Sequence, residues 1–145
     1  MSQLPLVIVN RNEFSLEIHE WLANERKFAR AIKYLIATGV VGRATPGGPY
    51  YVSSKNHEPT WFAPAWAEGV GGQQIPFSDP RNPFAGGFIG LSGNPSKKGL
   101  GIGFHGTRFD PKLGTRASHG CVRMATEDFL DLYDRVPVGT LVYVV

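Results

Sequence analysis

His105 and Cys121 are the residues of this chain with the clearest capacity for chemistry. His105 stands in the run Gly103-Phe104-His105-Gly106-Thr107, and Cys121 closes Ser118-His119-Gly120-Cys121, sixteen positions further on. Cys121 is the only cysteine in 145 residues, so it has no partner for an internal disulfide. A thiol with its ordinary pKa of about 8.5 needs an imidazole close by to act as a nucleophile near neutrality. Two histidines compete for that work. His119 lies two residues from Cys121, and in an extended segment the two side chains would share a face about 6–7 Å apart. Direct proton transfer requires roughly 2.6–3.2 Å. His105 ends a strand-like run and is free to approach from a neighbouring strand, which makes it the better base. Gly120 permits a tight turn into Cys121 whose backbone N–H groups can line an oxyanion pocket.

Other chemistry fits the same residues. A lone cysteine is commonly a small buried hydrophobe, and a histidine in a Gly-rich loop is commonly a surface hydrogen-bonder. His105, His119 and Cys121 also supply three zinc-ligand types, but their spacing matches no common structural-zinc pattern and no fourth ligand stands out. The residues alone leave these readings open.

The elements that must position these groups read as a strand-rich chain. Eighteen Gly and 11 Pro in 145 residues imply many turns, and the length fits a single domain spanning 1–145. Lys and Arg total 15 against 12 Asp and Glu, a net charge of +3. The basic residues are scattered, with no run longer than a pair such as Lys97–Lys98, so a nucleic-acid groove is not expected. No window of 18 apolar residues suggests a membrane span. The N-terminal residues show no signal-peptide pattern, which taken literally places the chain in the cytosol.

Strands are predicted at 4–10, 14–22, 50–54, 88–92, 101–104 and 140–145 from β-branched runs and alternation. Residues 25–39 are ambiguous. Phe28, Ile32, Leu35 and Ile36 fit a helical stripe ending at Gly39, whereas a turn at Ala23–Asn24–Glu25 would make the region the second strand of a hairpin. A helix is predicted over 126–136, capped by Thr126, burying Phe129, Leu130, Leu132 and Tyr133, and ended by Pro137 and Gly139. Residues 55–87, crowded with Pro, Gly and aromatics, form either a lid or a cover over a sheet edge.

With these segments in order, the sequence resembles the L,D-transpeptidase catalytic domain, the YkuD-like family. The resemblance is carried by His105-Gly106-Thr107 and by Ser118-His119-Gly120-Cys121-Val122-Arg123 at the family's spacing. It extends through "AIKYLIATG", "ATPGGPYYV", "EPTWFAPAW", "NPFAGGFIGLS" and "DLYDRVPVGTLVYV", almost the whole chain. It departs from the family at "GGPYYV", where Thr-Gly is commoner. The resemblance implies a strand at 25–39, against the helical periodicity. The implied fold is mainly β, a β-sandwich or partial barrel of mixed strands with one helix near the C-terminus.

The resemblance also implies a reaction and its residues. Cys121 would attack a peptidoglycan tetrapeptide stem, release D-Ala, and pass the acyl group to an amine on a second stem, giving a 3→3 cross-link. His105 would take the thiol proton, and the Gly106 carbonyl would orient its ring. His119 and Ser118 would shape the pocket, and the N–H groups of His119, Gly120 and Cys121 are the oxyanion candidates. Arg123 would hold a substrate carboxylate, or pair structurally with Asp128 or Asp131. Thr107, Trp61 and Trp66 complete the substrate side, the two tryptophans walling a channel for the acceptor stem. The implied partners are stem peptides, the implied place is the cell envelope, and a monomer without cofactor or metal is expected. A hydrolase on the same scaffold, a wall-binding module with an inert cysteine, and a zinc protein are the competing readings.

Overall fold

Backbone pairing assembles the strand-rich segments into one mixed sheet that curls onto itself. The computed structural model describes residues 3–97 and 101–145. Its elements are β1 (Leu6–Asn10), β2 (Ser15–Leu22), β3 (Lys27–Gly39), β4 (Gly48–Asn56), β5 (Trp61–Phe62), β6 (Gln74–Ile75), β7 (Phe84–Ser92), β8 (Gly103–Thr107), β9 (Arg116–Ser118), β10 (Val122–Met124), α1 (Thr126–Arg135) and β11 (Leu141–Val144). The nine-stranded sheet runs β10-β8-β7-β4-β11-β1-β2-β3-β9, and β10 also pairs with β3. That extra pairing, Arg123 with Ala37 and Met124 with Ile36, closes the sheet into a barrel-like ring. The closure removes most of the open edge that such a sheet would otherwise expose. Three pairings are parallel, β1 with β11, β8 with β10 and β3 with β9.

Alternation fills the ring. Val7 and Val9, Leu16 and Ile18, Tyr34 and Ile36, Phe104, and Val122 and Met124 point inward and are buried. The α1 helix adds Phe129 and Leu132 to the same cluster. Leu130, placed in the buried stripe by periodicity, is 39% exposed and lies beside Gly86 instead. Thr126 does not cap the helix. The N-cap position falls on Ala125, which makes no side-chain capping bond. Thr126 packs over Gly106, where a β-carbon would come within 3.1 Å of its hydroxyl.

Within 25–39 the chain turns at Glu25–Arg26 and is a strand over Lys27–Gly39, and a bulge explains the misleading periodicity. Ile18 pairs with Ile32 and His19 with Arg30, leaving Ala31 as an extra residue. The bulge inverts the faces on either side of it. Ile32, Tyr34 and Ile36 therefore face inward, while Leu35 and Phe28 share the opposite face. Leu35 is 51% exposed and Phe28 packs edge-on against Trp21 across the hairpin. A stripe that looked continuous on a helix is divided between two faces of a strand.

Candidate active site

The parallel pair β8–β10 brings the two chemical motifs together. Phe104 pairs with Val122, His105 with Arg123 and Gly106 with Met124. Phe104, Val122 and Met124 enter the core, so His105, Thr107 and Arg123 stand on the other face. Cys121 precedes β10 by one residue and falls on that face too. It sits one strand across and two residues along from His105, about 8 Å between α-carbons at ordinary sheet spacing.

His105 is enclosed. A second bulge, Gly86–Gly87, interrupts β7 between the pairs Ala85–Gly106 and Phe88–His105. Both glycines have positive φ, 79° and 137°, which side-chain-bearing residues rarely adopt. The bulge sets Phe84 and Phe88 together against the imidazole, with ring centroids 4.8 and 6.1 Å away and 5.3 Å from each other. Nδ1–H of His105 donates to the Gly106 carbonyl at 2.8 Å. A carbonyl can only accept, so this bond fixes the tautomer and leaves the lone pair on Nε2. Burial pushes the imidazole pKa down to about 4; the Gly106 bond opposes that shift and nearby Arg123 adds to it. His105 is thus a neutral base at physiological pH.

Cys121 is half-buried, and its thiol donates to the Gly101 carbonyl at 3.2 Å. Burial pushes its pKa up to about 11, against a Gly103 backbone hydrogen bond and the charge of Arg123. Both shifts favour a resting thiol and a neutral imidazole over a thiolate–imidazolium ion pair. Gly103 keeps this face open: a side chain there would strike the Phe88 ring and the Ile89 carbonyl.

The segment 118–121 is a turn, not the extended run from which the separation of His119 and Cys121 was reckoned. Gly120 has φ of 125°, and a β-carbon on it would touch Ile102 at 3.0 Å. Its N–H donates to Ser118 Oγ at 3.2 Å, which removes Gly120 N–H from the oxyanion candidates. Ser118 Oγ in turn donates to the Cys121 carbonyl, so Ser118 braces the turn from inside. The N–H groups of His119 and Cys121 have no recorded acceptor among the described residues. His119 is exposed, and its ring stacks on Trp66 at 3.7 Å and 24°. Burial, with Arg43 and Arg123, lowers its pKa.

Arg123 is half-buried beside Cys121, and burial lowers its pKa. Neither Asp128 nor Asp131 pairs with it. Asp131 is engaged by the Tyr34 hydroxyl and by Arg135 instead. Among the described residues no carboxylate forms an ion pair with Arg123. Thr107, at the end of β8, lies opposite Phe84 and accepts from Phe109 N–H.

The aromatic stretch 55–87 reaches the site as a folded unit. β5 and β6 form a two-stranded sheet, and Ala63, Ala67, Val70 and Ile75 make a small core beneath Trp61. Asn82 is fully buried, donating to the Pro59 and Ile75 carbonyls and accepting from Phe84 N–H. Arg108 ties the stretch to β8 through the carbonyls of Phe77 and Phe84. Trp61 and Trp66 line one wall of a cavity of about 440 Å³, with Val70, Arg81 and Phe109 also lining it. Neither β5 nor β6 was legible as a strand, since two residues carry no periodicity.

Sequence reasoning missed Thr45. Its buried Oγ1 accepts from Gly39 N–H at 3.1 Å and donates to the Gly120 carbonyl at 2.7 Å. Gly39 has no room for a side chain, since a β-carbon would come within 2.8 Å of Thr45 N and 2.9 Å of the Ala44 carbonyl carbon. Backbone cannot swing aside as a side chain does. Gly39→Ala is therefore expected to destabilise the fold by about 1–3 kcal/mol, read as a lowered denaturant midpoint with unchanged slope. An unchanged midpoint would show that the 40–45 loop adjusts freely.

Among the described residues no group of three or more His, Cys, Asp or Glu is placed to hold a metal ion. Among the described residues no helix is long and apolar enough to cross a membrane.

A closed mixed barrel with Cys121 and His105 on one outer face is the arrangement to set against known proteins. The L,D-transpeptidase catalytic domain family, YkuD, matches residues 5–144, and the chain belongs to that family. YqjB of Bacillus subtilis (strain 168) is 30% identical over 140 residues, covering 97% of this chain and 70% of its own. YbiS of Escherichia coli (strain K12) is 34% identical over 116 residues, covering 74% of this chain and 35% of its own. Among solved structures, the LD transpeptidase LdtMt1 in complex with imipenem superposes with a TM-score of 0.72 at 15% identity, covering 98% of this chain and 59% of that one. L,D-transpeptidase 3 from Mycobacterium tuberculosis, with a faropenem-derived adduct, gives 0.70 at 16%, covering 97% and 60%. At those identities the structures speak for the fold. The chain spans about a third of YbiS and little more than half of either structure.

Proposed function

We propose that this chain, as a single catalytic domain, is a cysteine-dependent L,D-transpeptidase acting on peptidoglycan stem peptides in the cell envelope, as a monomer without cofactor. The observation that carries the reading is His105, its Nδ1–H held by the Gly106 carbonyl and Nε2 left as the lone-pair nitrogen, on the same face as Cys121. In the first half-reaction the Cys121 thiol turns from the Gly101 carbonyl and gives its proton to His105 Nε2. The sulfur bonds to the carbonyl carbon of the third stem residue, and the Cys121 N–H supports the oxyanion. The C–N bond to D-Ala then breaks, and His105 returns the proton to the departing amine. In the second half-reaction an acceptor amine attacks the thioester, loses a proton to His105, and the thiol is regenerated as the 3→3 amide forms. Arg123, without an acidic partner, offers a bidentate site for a stem carboxylate.

Trp66, which lines the cavity and stacks on His119, supports an amine acceptor over water. A thioester awaiting a scarce neutral amine has to be shielded from abundant solvent. With a tetrapeptide donor and a second stem as acceptor, mass spectrometry is expected to show more exchanged amide than hydrolysed tripeptide. Replacing Trp61 and Trp66 with Ala should raise the tripeptide share several-fold while acylation of Cys121 continues. Tripeptide alone at saturating acceptor would make the enzyme an L,D-carboxypeptidase. Loss of acylation in the tryptophan variants would place the stretch in the donor pocket.

A further inference from the structure

We infer that Thr45 is a positioning residue that aims the Cys121 N–H as the oxyanion donor; the inference rests on the acyl-transfer reading above. Thr45 lies outside the two motifs, seventy-five residues before Gly120, yet its hydroxyl ties the Gly120 turn to the end of β3. Thr45 is 1% exposed, and its hydroxyl has two partners. It accepts from Gly39 N–H at 3.1 Å and donates to the Gly120 carbonyl at 2.7 Å.

Peptide geometry gives that second bond its consequence. The Gly120–Cys121 peptide is trans, as are all the described peptide bonds, and in a trans peptide C=O and N–H point in opposite directions. Pinning the Gly120 carbonyl inward therefore turns the Cys121 N–H outward, where it has no recorded acceptor among the described residues. The neighbouring peptide is oriented the opposite way, because Gly120 N–H is held by Ser118 Oγ. Of the two peptides flanking Gly120, only the one that Thr45 holds presents a free donor next to the sulfur. Gly120, at φ of 125°, has the conformational freedom to let that peptide rotate once the anchor is lost. The anchor itself is firm. Gly39 sits at the end of β3, paired with Ser118 of β9, and its N–H holds the Thr45 hydroxyl in one orientation.

The test separates oxyanion support from simple loss of structure. Thr45→Val keeps the shape and removes both hydrogen bonds, Thr45→Ser keeps the hydroxyl, and Thr45→Ala leaves space for water. Two rates are measured on each protein at one pH. One is acylation of Cys121 by imipenem, followed by intact mass, which passes through a tetrahedral oxyanion. The other is alkylation by iodoacetamide, a displacement at carbon that forms no oxyanion. Thr45→Val is expected to slow acylation about 10- to 100-fold, short of the roughly 100- to 1000-fold known for deleting a donor outright. Its alkylation rate should stay within about twofold of wild type, and Thr45→Ser should recover most of the acylation rate. Should Thr45→Val not fold, the same two rates on Thr45→Ala decide the matter. Equal losses in both rates would reduce Thr45 to a structural brace, and an unchanged acylation rate would overturn the inference. If wild type itself is not acylated at Cys121, it is the acyl-transfer reading that fails.

Discussion

Cys121→Ala is expected to give a folded protein with no detectable transfer and no covalent capture by a carbapenem. The thiol donates to the Gly101 carbonyl and accepts from the Gly103 backbone, both groups that solvent can satisfy instead, so its removal takes little from the fold. Its removal takes everything from the chemistry, because no other group on this face can form the thioester. Wild type incubated with imipenem should gain the mass of one inhibitor per chain, and Cys121→Ala should gain none. Mass added to the variant would put the nucleophile elsewhere. The same substitution has a signature in stability. Burial raises the thiol pKa to about 11, from an ordinary value of about 8.5–9. Between those values the folded protein keeps a proton that the unfolded chain releases, so stability falls as pH rises from 9 toward 11. Cys121→Ala should flatten that alkaline loss in denaturant titrations.

The sequence carried the site's parts more clearly than their arrangement. Short β-branched runs located most of the sheet, and His105 was expected to end a strand free to approach Cys121 from a neighbouring one; β8 pairs with β10, which Cys121 precedes by one residue. The bulges were invisible. Ala31 inverts the faces of β3, and a periodicity count that assumes unbroken geometry reads the result as a helix. Gly86–Gly87 looked like turn residues ending a loop, yet they sit within β7 and set two phenylalanines against the catalytic candidate. The turn at Gly120 was legible as a possibility, but not which of its N–H groups would be consumed internally. That depended on Ser118 Oγ and on Thr45, a residue distant in sequence whose partners are both backbone atoms. Bonds to backbone leave no complementary side chain to notice. The meeting of Trp66 with His119 was hidden for a different reason, since two short strands and a small private core decide where that tryptophan lands.

His105→Ala is expected to cost acylation about 100- to 10,000-fold, the usual range for a general base, and His119→Ala much less. The burial of the two rings argues for that order. His105 is 6% exposed, and its Gly106 bond leaves Nε2 as the lone-pair nitrogen, whereas His119 is exposed and engaged face-on with Trp66. A larger loss from His119→Ala, with the fold intact, would transfer the base to His119. The pH dependence tests the state of the pair independently. With the imidazole pKa pushed down to about 4 and the thiol up to about 11, acylation should lose its base only near pH 4. Alkylation of Cys121 by iodoacetamide should keep rising through pH 9, whereas a thiolate–imidazolium pair would alkylate at a constant rate from about pH 5 upward. Stability carries the matching sign. The unfolded histidine binds a proton below about 6.5 that buried His105 refuses until about 4. That contribution is complete above pH 6.5 and is lost as pH falls through the window to 4, at most about 3 kcal/mol. His105→Ala should remove this acid slope. A plateau in alkylation from pH 5, together with an acid slope unchanged by His105→Ala, would show that the cysteine rests as a thiolate and that His105 holds the proton before substrate arrives.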